Sequence, residues 1–294
     1  MRRPLAALCP GGPWRPARSS RPHRRAPTPQ WRQLLTSNTD PAIKHSPVTR
    51  RSSQPSTKAA VFRPAAERFL STLDWLESWH SFSFAHHYDP AWLGFGPLRV
   101  INDDTIAAGR GFGLHPHRDM EIITVMLEGE LSHSDSMGNG EMLRAGEVQR
   151  MSAGSGVVHS EINRGAVPCR LLQIWIEPSS HGSAPAYEQK PFALGDDWTL
   201  LLDPEGRQGA MALNRPVRLW RARPAAGSRL GLPLAAGRQS WLQLIDGSVR
   251  LDSGRALERG DGLGFVAGPE ALISEAEGLT AEAAGADLLL FELA

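Results

Sequence analysis

From Val61 to the last residue, short apolar runs of strand length alternate with clusters of turn-forming residues, a punctuation that rules out most helical architectures. The runs include Ser81-Phe82-Ser83-Phe84, Leu98-Arg99-Val100-Ile101, Ile122-Ile123-Thr124-Val125-Met126-Leu127 and Leu171-Leu172-Gln173-Ile174-Trp175-Ile176. Between and after them fall Asn102-Asp103-Asp104, Gly138-Asn139-Gly140, Ala153-Gly154-Ser155-Gly156 and Asp252-Ser253-Gly254, each read as a turn. Long amphipathic helices are missing, and residues 65–79 supply a helical turn or two at most. Strands and turns in this alternation predict an all-β sandwich or barrel.

A faint internal repeat points to two such units. Leu127-Glu128-Gly129, a hairpin at Gly138-Asn139-Gly140 and then Ala145-Gly146-Glu147 are echoed by Ile245-Asp246-Gly247, a hairpin at Asp252-Ser253-Gly254 and Arg259-Gly260-Asp261. A linker or shared strands are expected around residues 178–200. All ten histidines lie at or before His181, and neither cysteine lies beyond Cys169. A second unit over 200–294 therefore has only carboxylates to offer a transition metal.

The first unit is different. His115-Pro116-His117 ends a glycine-rich run, and His159-Ser160-Glu161 follows some forty residues later. Each pair is spaced i, i+2, so on an extended chain both members point the same way. Two such strands facing each other would bring three imidazoles and one carboxylate to a single ion.

Charge divides the chain in another way. The 32 Lys/Arg and 31 Asp/Glu nearly cancel, but residues 1–60 hold twelve basic residues and one acid, Asp40, leaving 20 basic and 30 acidic in the remainder. The head is rich in Arg, Pro and Ser, with too few periodic apolar residues to offset ordering entropy, and is expected to be a disordered extension. An organelle transit peptide is the main alternative, though its frequent prolines would break the amphipathic helix such peptides form. A nucleic-acid-binding arm is the least favoured reading of this head, so nucleic acid is not the expected partner. No apolar run resembles a secretory signal or approaches the ~20 residues that span a bilayer, which leads to a cytoplasmic expectation. One cysteine in the body, Cys169 in an apolar run, fits a reducing compartment and reads as a buried small hydrophobe.

Gly109, His115-x-His117, Glu121 and Gly129 follow the first cupin motif, with a final gap one residue longer than usual. Gly146, Ser152-x-Gly154, His159 and Asn163 approximate the second, with Ser152 where proline is usual and a longer gap before the histidine. The departures match a subgroup. The segment Gly111-Phe112-Gly113-Leu114-His115-Pro116-His117-Arg118-Asp119-Met120-Glu121, then His133-Ser134-Asp135-Ser136-Met137-Gly138-Asn139, then Gln149-Arg150-Met151-Ser152-Ala153-Gly154-Ser155-Gly156 with His159-Ser160-Glu161, resembles the pirin family. Trp79-His80-Ser81-Phe82-Ser83-Phe84 and the run Gly94-Phe95-Gly96-Pro97 leading into Leu98 resemble its opening strands. The likeness runs from about Phe62 to Ala294 and is strongest to the short bacterial branch with quercetin 2,3-dioxygenase activity.

The resemblance implies a bicupin: a metal-binding cupin domain over 61–180, a metal-free one over 181–294, and an extension over 1–60 without counterpart. It also implies one divalent metal, usually Fe(II) with other divalent ions possible, held by His115, His117, His159 and Glu161. The implied reaction is ring opening of a flavonol by dioxygen, with Glu161 as the base that removes the 3-hydroxyl proton. Many cupins use the carboxylate of the first motif, here Glu121. On a continuous strand that residue would sit about 13 Å beyond His117, which favours Glu161. His133 and Asp135 are in phase on a strand and read either as partners behind the ligands or as solvent-facing polar residues. His80, His86, His87 and His181 have no partner spacing that recommends them as ligands. Two other readings stand beside the enzyme: a metal-binding regulator that acts on transcription or metabolic enzymes through protein partners, and a cupin that binds a sugar or small acid.

Overall fold

The computed structural model describes residues 60–235, 237–266 and 278–294. Except for Ala60, the predicted extension lies outside the described residues. The first twelve strands are β1 (Ala60–Arg63), β2 (Phe69–Thr72), β3 (Leu76–His80), β4 (Leu98–Ile106), β5 (Gly111–His117), β6 (Glu121–Glu128), β7 (Glu130–Asp135), β8 (Gly140–Arg144), β9 (Glu147–Ser152), β10 (Val157–Ile162), β11 (Cys169–Ile176) and β12 (Ala186–Pro191). They are followed by β13 (Thr199–Asp203), β14 (Met211–Ala212), β15 (Arg218–Ala222), β16 (Arg229–Gly231), β17 (Gln239–Leu251), β18 (Ala256–Glu258), β19 (Gly262–Phe265) and β20 (Gly278–Leu293). Among the described residues the helical segments are short 3₁₀ turns, and no helix is long and apolar enough to cross a membrane.

Three sheets result. One has seven strands in the order β12-β9-β6-β11-β4-β3-β2, and a second has four in the order β5-β10-β7-β8. The third follows the path β1-β19-β17-β20-β15-β13-β14, with β16 beside β20 and β18 beside β17. The seven-stranded sheet is covered on both faces. Ile101, Ile123, Val125, Leu172 and Ile174 pack with Leu219, Trp241, Ile245, Leu289 and Phe291 of the third sheet. On the opposite face Leu76, Ile106, Met126 and Leu171 pack with Leu131 and Leu143 of the four-stranded sheet. Strands covered on both sides carry apolar residues on both faces, which is why β6 and β11 read as mostly hydrophobic runs, broken chiefly by Thr124, Arg170 and Gln173.

Residues 65–79 hold one helical turn, the 3₁₀ segment Ala65–Glu67, followed by β2 and most of β3. Two other local expectations give way. Ser81-Phe82-Ser83-Phe84 is not a strand but part of a connection that carries an isolated bridge from Phe84 to His87. Asn102-Asp103-Asp104 is no turn; all three are buried inside β4. The reason is partnership: His80 Nδ1 meets Asn102 Oδ1 at 2.8 Å, Ser78 donates to Asp104, and Arg170 clasps Asp103 with two bonds of 2.9 Å. Polar side chains with partners waiting in the interior lose their turn preference.

The repeat has a backbone basis. Gly129 and Gly247 both adopt left-handed conformations, with φ of +73° and +77°. A Cβ would lie 2.9 Å from Cys169 Cβ at the first and 2.1 Å from the Gly285 carbonyl at the second, so glycine is required twice for one turn design. The chain is also stitched end to end. β1 pairs antiparallel with β19, Phe62 opposite Leu263, so the first described strand completes the sheet built by the last ones. Arg63 anchors it, donating from Nε to the Ser81 carbonyl at 3.0 Å with its guanidinium over the rings of Phe69 and Trp92.

A truncation series should expose this boundary. Removing residues 1–57 is expected to leave melting temperature and metal content unchanged, whereas removing residues 1–63 should lower the melting temperature by several degrees. Loss of folded protein on the shorter truncation would show instead that the head packs on the body.

Candidate metal centre

β5 and β10 pair antiparallel, with His159 opposite His115 and Val157 opposite His117. Register partners share a face, so all three imidazoles point into the space between the four- and seven-stranded sheets while Leu114, Pro116 and Val158 point outward. β5 is an edge strand, a place where the missing N–H of Pro116 is tolerated. The pairing carries a bulge between His159 and Glu161, which re-aims Glu161. Gly111 makes the bulge possible, because a Cβ there would fall 2.2 Å from the Glu161 carbonyl.

One donor atom from each of His115, His117 and His159 lies within 4.8 Å of the others. The ring centroids are 4.4 Å apart for His115–His159 and 4.9 Å for each of the other pairs. His115 Nδ1 lies 2.7 Å from the Gly113 carbonyl, which places its proton on Nδ1 and leaves Nε2 with the free lone pair. Glu161 does not share the distance limit of that triplet; its carboxylate lies within 4.8 Å of donor atoms on His159 and His133. Thus the structure gathers the three predicted histidines and sets Glu161 beside one of them.

Glu161 sits on a polar belt that sequence reading missed. His80, Asn102, Gln173, Thr124, Gln149 and Gln189 are successive cross-strand partners from β3 to β12, a row of polar side chains across the inner face of the seven-stranded sheet. From this row Gln173 Nε2 donates to Glu161 Oε2 at 2.9 Å, and Thr124 Oγ1 lies 3.3 Å from Glu161 Oε1 and 3.1 Å from Gln173 Oε1. The available signal was a lone polar residue in an apolar run, Thr124 in β6 and Gln173 in β11.

The electrostatics favour neutral imidazoles. Burial, reinforced by the neighbouring histidines, pushes His117 and His159 down to about 3. Both ring nitrogens of His159 are buried without a hydrogen-bond partner in the protein. Buried polar atoms left this way call for an unseen partner, and three imidazoles converging on one point suit a divalent transition ion. The residues present therefore fit a metal.

Asp104, fully buried, faces the same interior, where desolvation pushes its carboxyl up to about 7 against the hydrogen bond from Ser78. A raised carboxyl holds its proton in the folded state while the unfolded chain releases it near pH ~4, so folding stability falls as pH rises from there to about 7. Asp104→Asn keeps an acceptor for Ser78 and should remove that slope, raising the melting temperature at pH 8 more than at pH 5. Equal shifts at the two pH values would show that Asp104 does not titrate there.

The remaining candidates lie elsewhere. Glu121 accepts from Ser152 Oγ at 2.6 Å, and burial raises its pKa. His80 is buried in bonds to Asn102 and Ser71, and His87 Nε2 meets the same serine hydroxyl at 3.1 Å. His86 and His181 are exposed. Cys169 is buried, its thiol pushed up to about 11 by desolvation, as expected of an inert core residue.

The Pirin family profile matches residues 63–176, and the profile for the quercetinase C-terminal cupin domain matches residues 200–293. Over 202 residues the chain is 46% identical to a quercetin 2,3-dioxygenase of Escherichia coli K12, covering 68% of this chain and 87% of that one. The chain belongs to the pirin family. Its fold is the pirin bicupin, shared with the crystal structure of YhhW from Escherichia coli at 41% identity and a TM-score of 0.75, covering 80% of this chain and 98% of that chain. A second structure, of the bacterial pirin YhhW in complex with nickel(II), matches at 42% identity and a TM-score of 0.74, covering 80% and 99%. In this pirin the histidine cluster therefore lies in the half of the chain matched by the Pirin profile.

Proposed function

We propose that this pirin is a metal-dependent dioxygenase of flavonols, with His115, His117, His159 and Glu161 as ligands and Fe(II) as the working ion. The observation that carries the reading is the convergence of three buried or half-buried imidazoles beside a carboxylate whose two oxygens are each steadied by a single donor. The names of the relatives support the substrate class.

When bound, the ion would supply Lewis-acid withdrawal from the flavonol's 3-hydroxyl and a position for dioxygen. The chain does the rest. Trp175 stands edge-on to His117 with ring centroids 5.0 Å apart, and Phe112 lies 6.4 Å from His115, so aromatic walls flank the imidazoles where a flat substrate can rest. Glu161 takes the 3-hydroxyl proton on Oε1, the oxygen with the longer hydrogen bond. Thr124 has one hydroxyl proton and two acceptors in reach, so it turns to Gln173 Oε1 once Glu161 Oε1 is protonated. Gln173 meanwhile keeps Oε2 fixed, and the carboxyl does not swing away with its proton.

The test is oxygen uptake by apoprotein reloaded with Fe(II), Mn(II), Ni(II), Co(II) or Cu(II), against a panel of flavonols, with metal content measured on the same samples. One ion per chain is expected, released in His115→Ala and His159→Ala with the fold retained. Fully metallated protein inert toward every flavonol would replace the enzyme with the metal-dependent interaction protein.

A further inference from the structure

Two adjacent residues of β4 bury carboxylates in opposite ways. Asp103 is clasped by Arg170 through two bonds of 2.9 Å, a fixed cation that never gives up its proton. Asp104 faces the other side of the strand, where the Ser78 hydroxyl donates to its Oδ1. From that hydroxyl a series of hydrogen bonds leads outward. Ser78 Oγ lies 3.3 Å from His80 Nδ1, His80 Nε2 lies 2.8 Å from Ser71 Oγ, and Ser71 Oγ lies 3.1 Å from His87 Nε2. Asp104, Ser78 and His80 are buried while Ser71 and His87 are half-buried, so the series runs from the interior to the surface. Its rings are held in place: His87 stacks on Phe69 at 5.3 Å and 13°, and His80 lies 5.1 Å from Phe84.

Every member of the series can both give and accept a proton, being a carboxyl, a hydroxyl or an imidazole. A network built only to hold Asp104 would need one firm partner, as Arg170 is for Asp103, and not a histidine with a hydroxyl at each of its nitrogens. We propose that Ser78, His80, Ser71 and His87 form a proton relay that joins Asp104 to solvent.

Asn102 sets the resting direction. Its Oδ1 lies 2.8 Å from His80 Nδ1, so that nitrogen carries the ring proton and Nε2 accepts from Ser71. An inward transfer then balances at every atom. His87 takes a proton from water at Nδ1 and passes the one on Nε2 to Ser71 Oγ; the Ser71 proton moves to His80 Nε2, the His80 Nδ1 proton to Ser78 Oγ, and the Ser78 proton to Asp104 Oδ1. Asp104 ends neutral, and each bond along the way has reversed, which sets the series for the return. Burial, with the charges of His87 and Arg68 acting in the same sense, pushes His80 down to about 4, so its ring passes protons by exchanging tautomers and stores no charge. The charged neighbours of Asp104 are Asp103 and Glu161, and both favour its protonated form. The use of the relay rests on the dioxygenase reading: a neutral flavonol is consumed and a carboxylic acid that ionises is produced, so each turnover sheds one proton to water.

Infrared spectroscopy of the full-length apoprotein tests the relay without any turnover. The C=O stretch of the protonated carboxyl is assigned by its loss in Asp104→Asn, and its growth is timed after a jump from pH 8 to pH 6, across the value of about 7. Ser71→Ala and His87→Ala should slow that growth by about 10²-fold or more, the low end of what a positioned proton-transfer group contributes. Imidazole in the buffer should restore the rate in His87→Ala and not in Ser71→Ala, with circular dichroism as the fold control. If Ser71→Ala does not fold, His87→Ala with and without imidazole decides alone. Unchanged rates in the variants, or a slowing in His87→Ala that imidazole does not relieve, would overturn the relay. So would the lack of any carboxyl band that disappears in Asp104→Asn. Slowed jumps relieved by imidazole, in a protein that is inert toward every flavonol when metallated, would uphold the relay and remove the dioxygenase.

Discussion

Glu161→Gln is expected to retain an ion at the imidazoles while flavonol-dependent oxygen uptake falls by roughly 10²–10⁴-fold, the range lost with a general base. The amide oxygen can still coordinate, but a neutral amide cannot accept the hydroxyl proton. Its NH₂ group would also face Gln173 Nε2 or Thr124, replacing one of two accepting oxygens with a donor. Glu121→Gln is the matched control: that carboxylate is engaged by Ser152 at 2.6 Å and belongs to neither donor triplet, so its loss should change turnover far less. Near wild-type turnover in Glu161→Gln would keep the enzyme and discard its base.

The second large effect concerns stability. Arg170→Met should cost about 3–5 kcal/mol, read from urea unfolding midpoints, because removing one partner of a buried pair leaves the other charge uncompensated. Arg170 donates through Nε and Nη2 to Asp103, through Nη1 to Asp246 at 2.8 Å, and through Nη2 to the Ile245 carbonyl at 3.2 Å. One side chain thus ties β11 and β4 of the seven-stranded sheet to β17 of the third. Asp103, 7% exposed, would be left buried without its cation, while Asp246 is open enough for water to take over. Adding Asp103→Leu to Arg170→Met should recover much of the loss, since apolar replacements of buried pairs are often neutral. A single substitution costing less than ~1 kcal/mol, the value of an exposed pair, would mean that water reaches Asp103.

Apolar runs of strand length and turn punctuation made the strands legible, and two i, i+2 pairs made the histidine cluster legible, because both signals are local. What escaped was set by distant partners. Asn102-Asp103-Asp104 has turn composition, yet His80, Ser78 and Arg170 wait for it in the interior. Thr124 and Gln173 pass singly within apolar strands and join Gln149 in a belt only when strands far apart in sequence come into register. His133 and Asp135 were in phase, but whether they faced solvent or Glu161 depended on which sheet β7 joined and on the wall supplied by Tyr187.

The pairing of β1 with β19 sets a timetable for making the protein. Phe62 leaves the ribosome about 200 residues ahead of its partner Leu263, an interval of roughly 10–40 s at bacterial and eukaryotic synthesis rates. Throughout that interval β1 has no sheet to join, and the histidine-bearing sheets can close without it. When β19 arrives, β1 is the strand that caps its open edge, and an uncapped edge is a template for pairing with another chain. A nascent chain stalled before Gly262 would therefore carry the paired histidine strands β5 and β10 and an unclaimed strand.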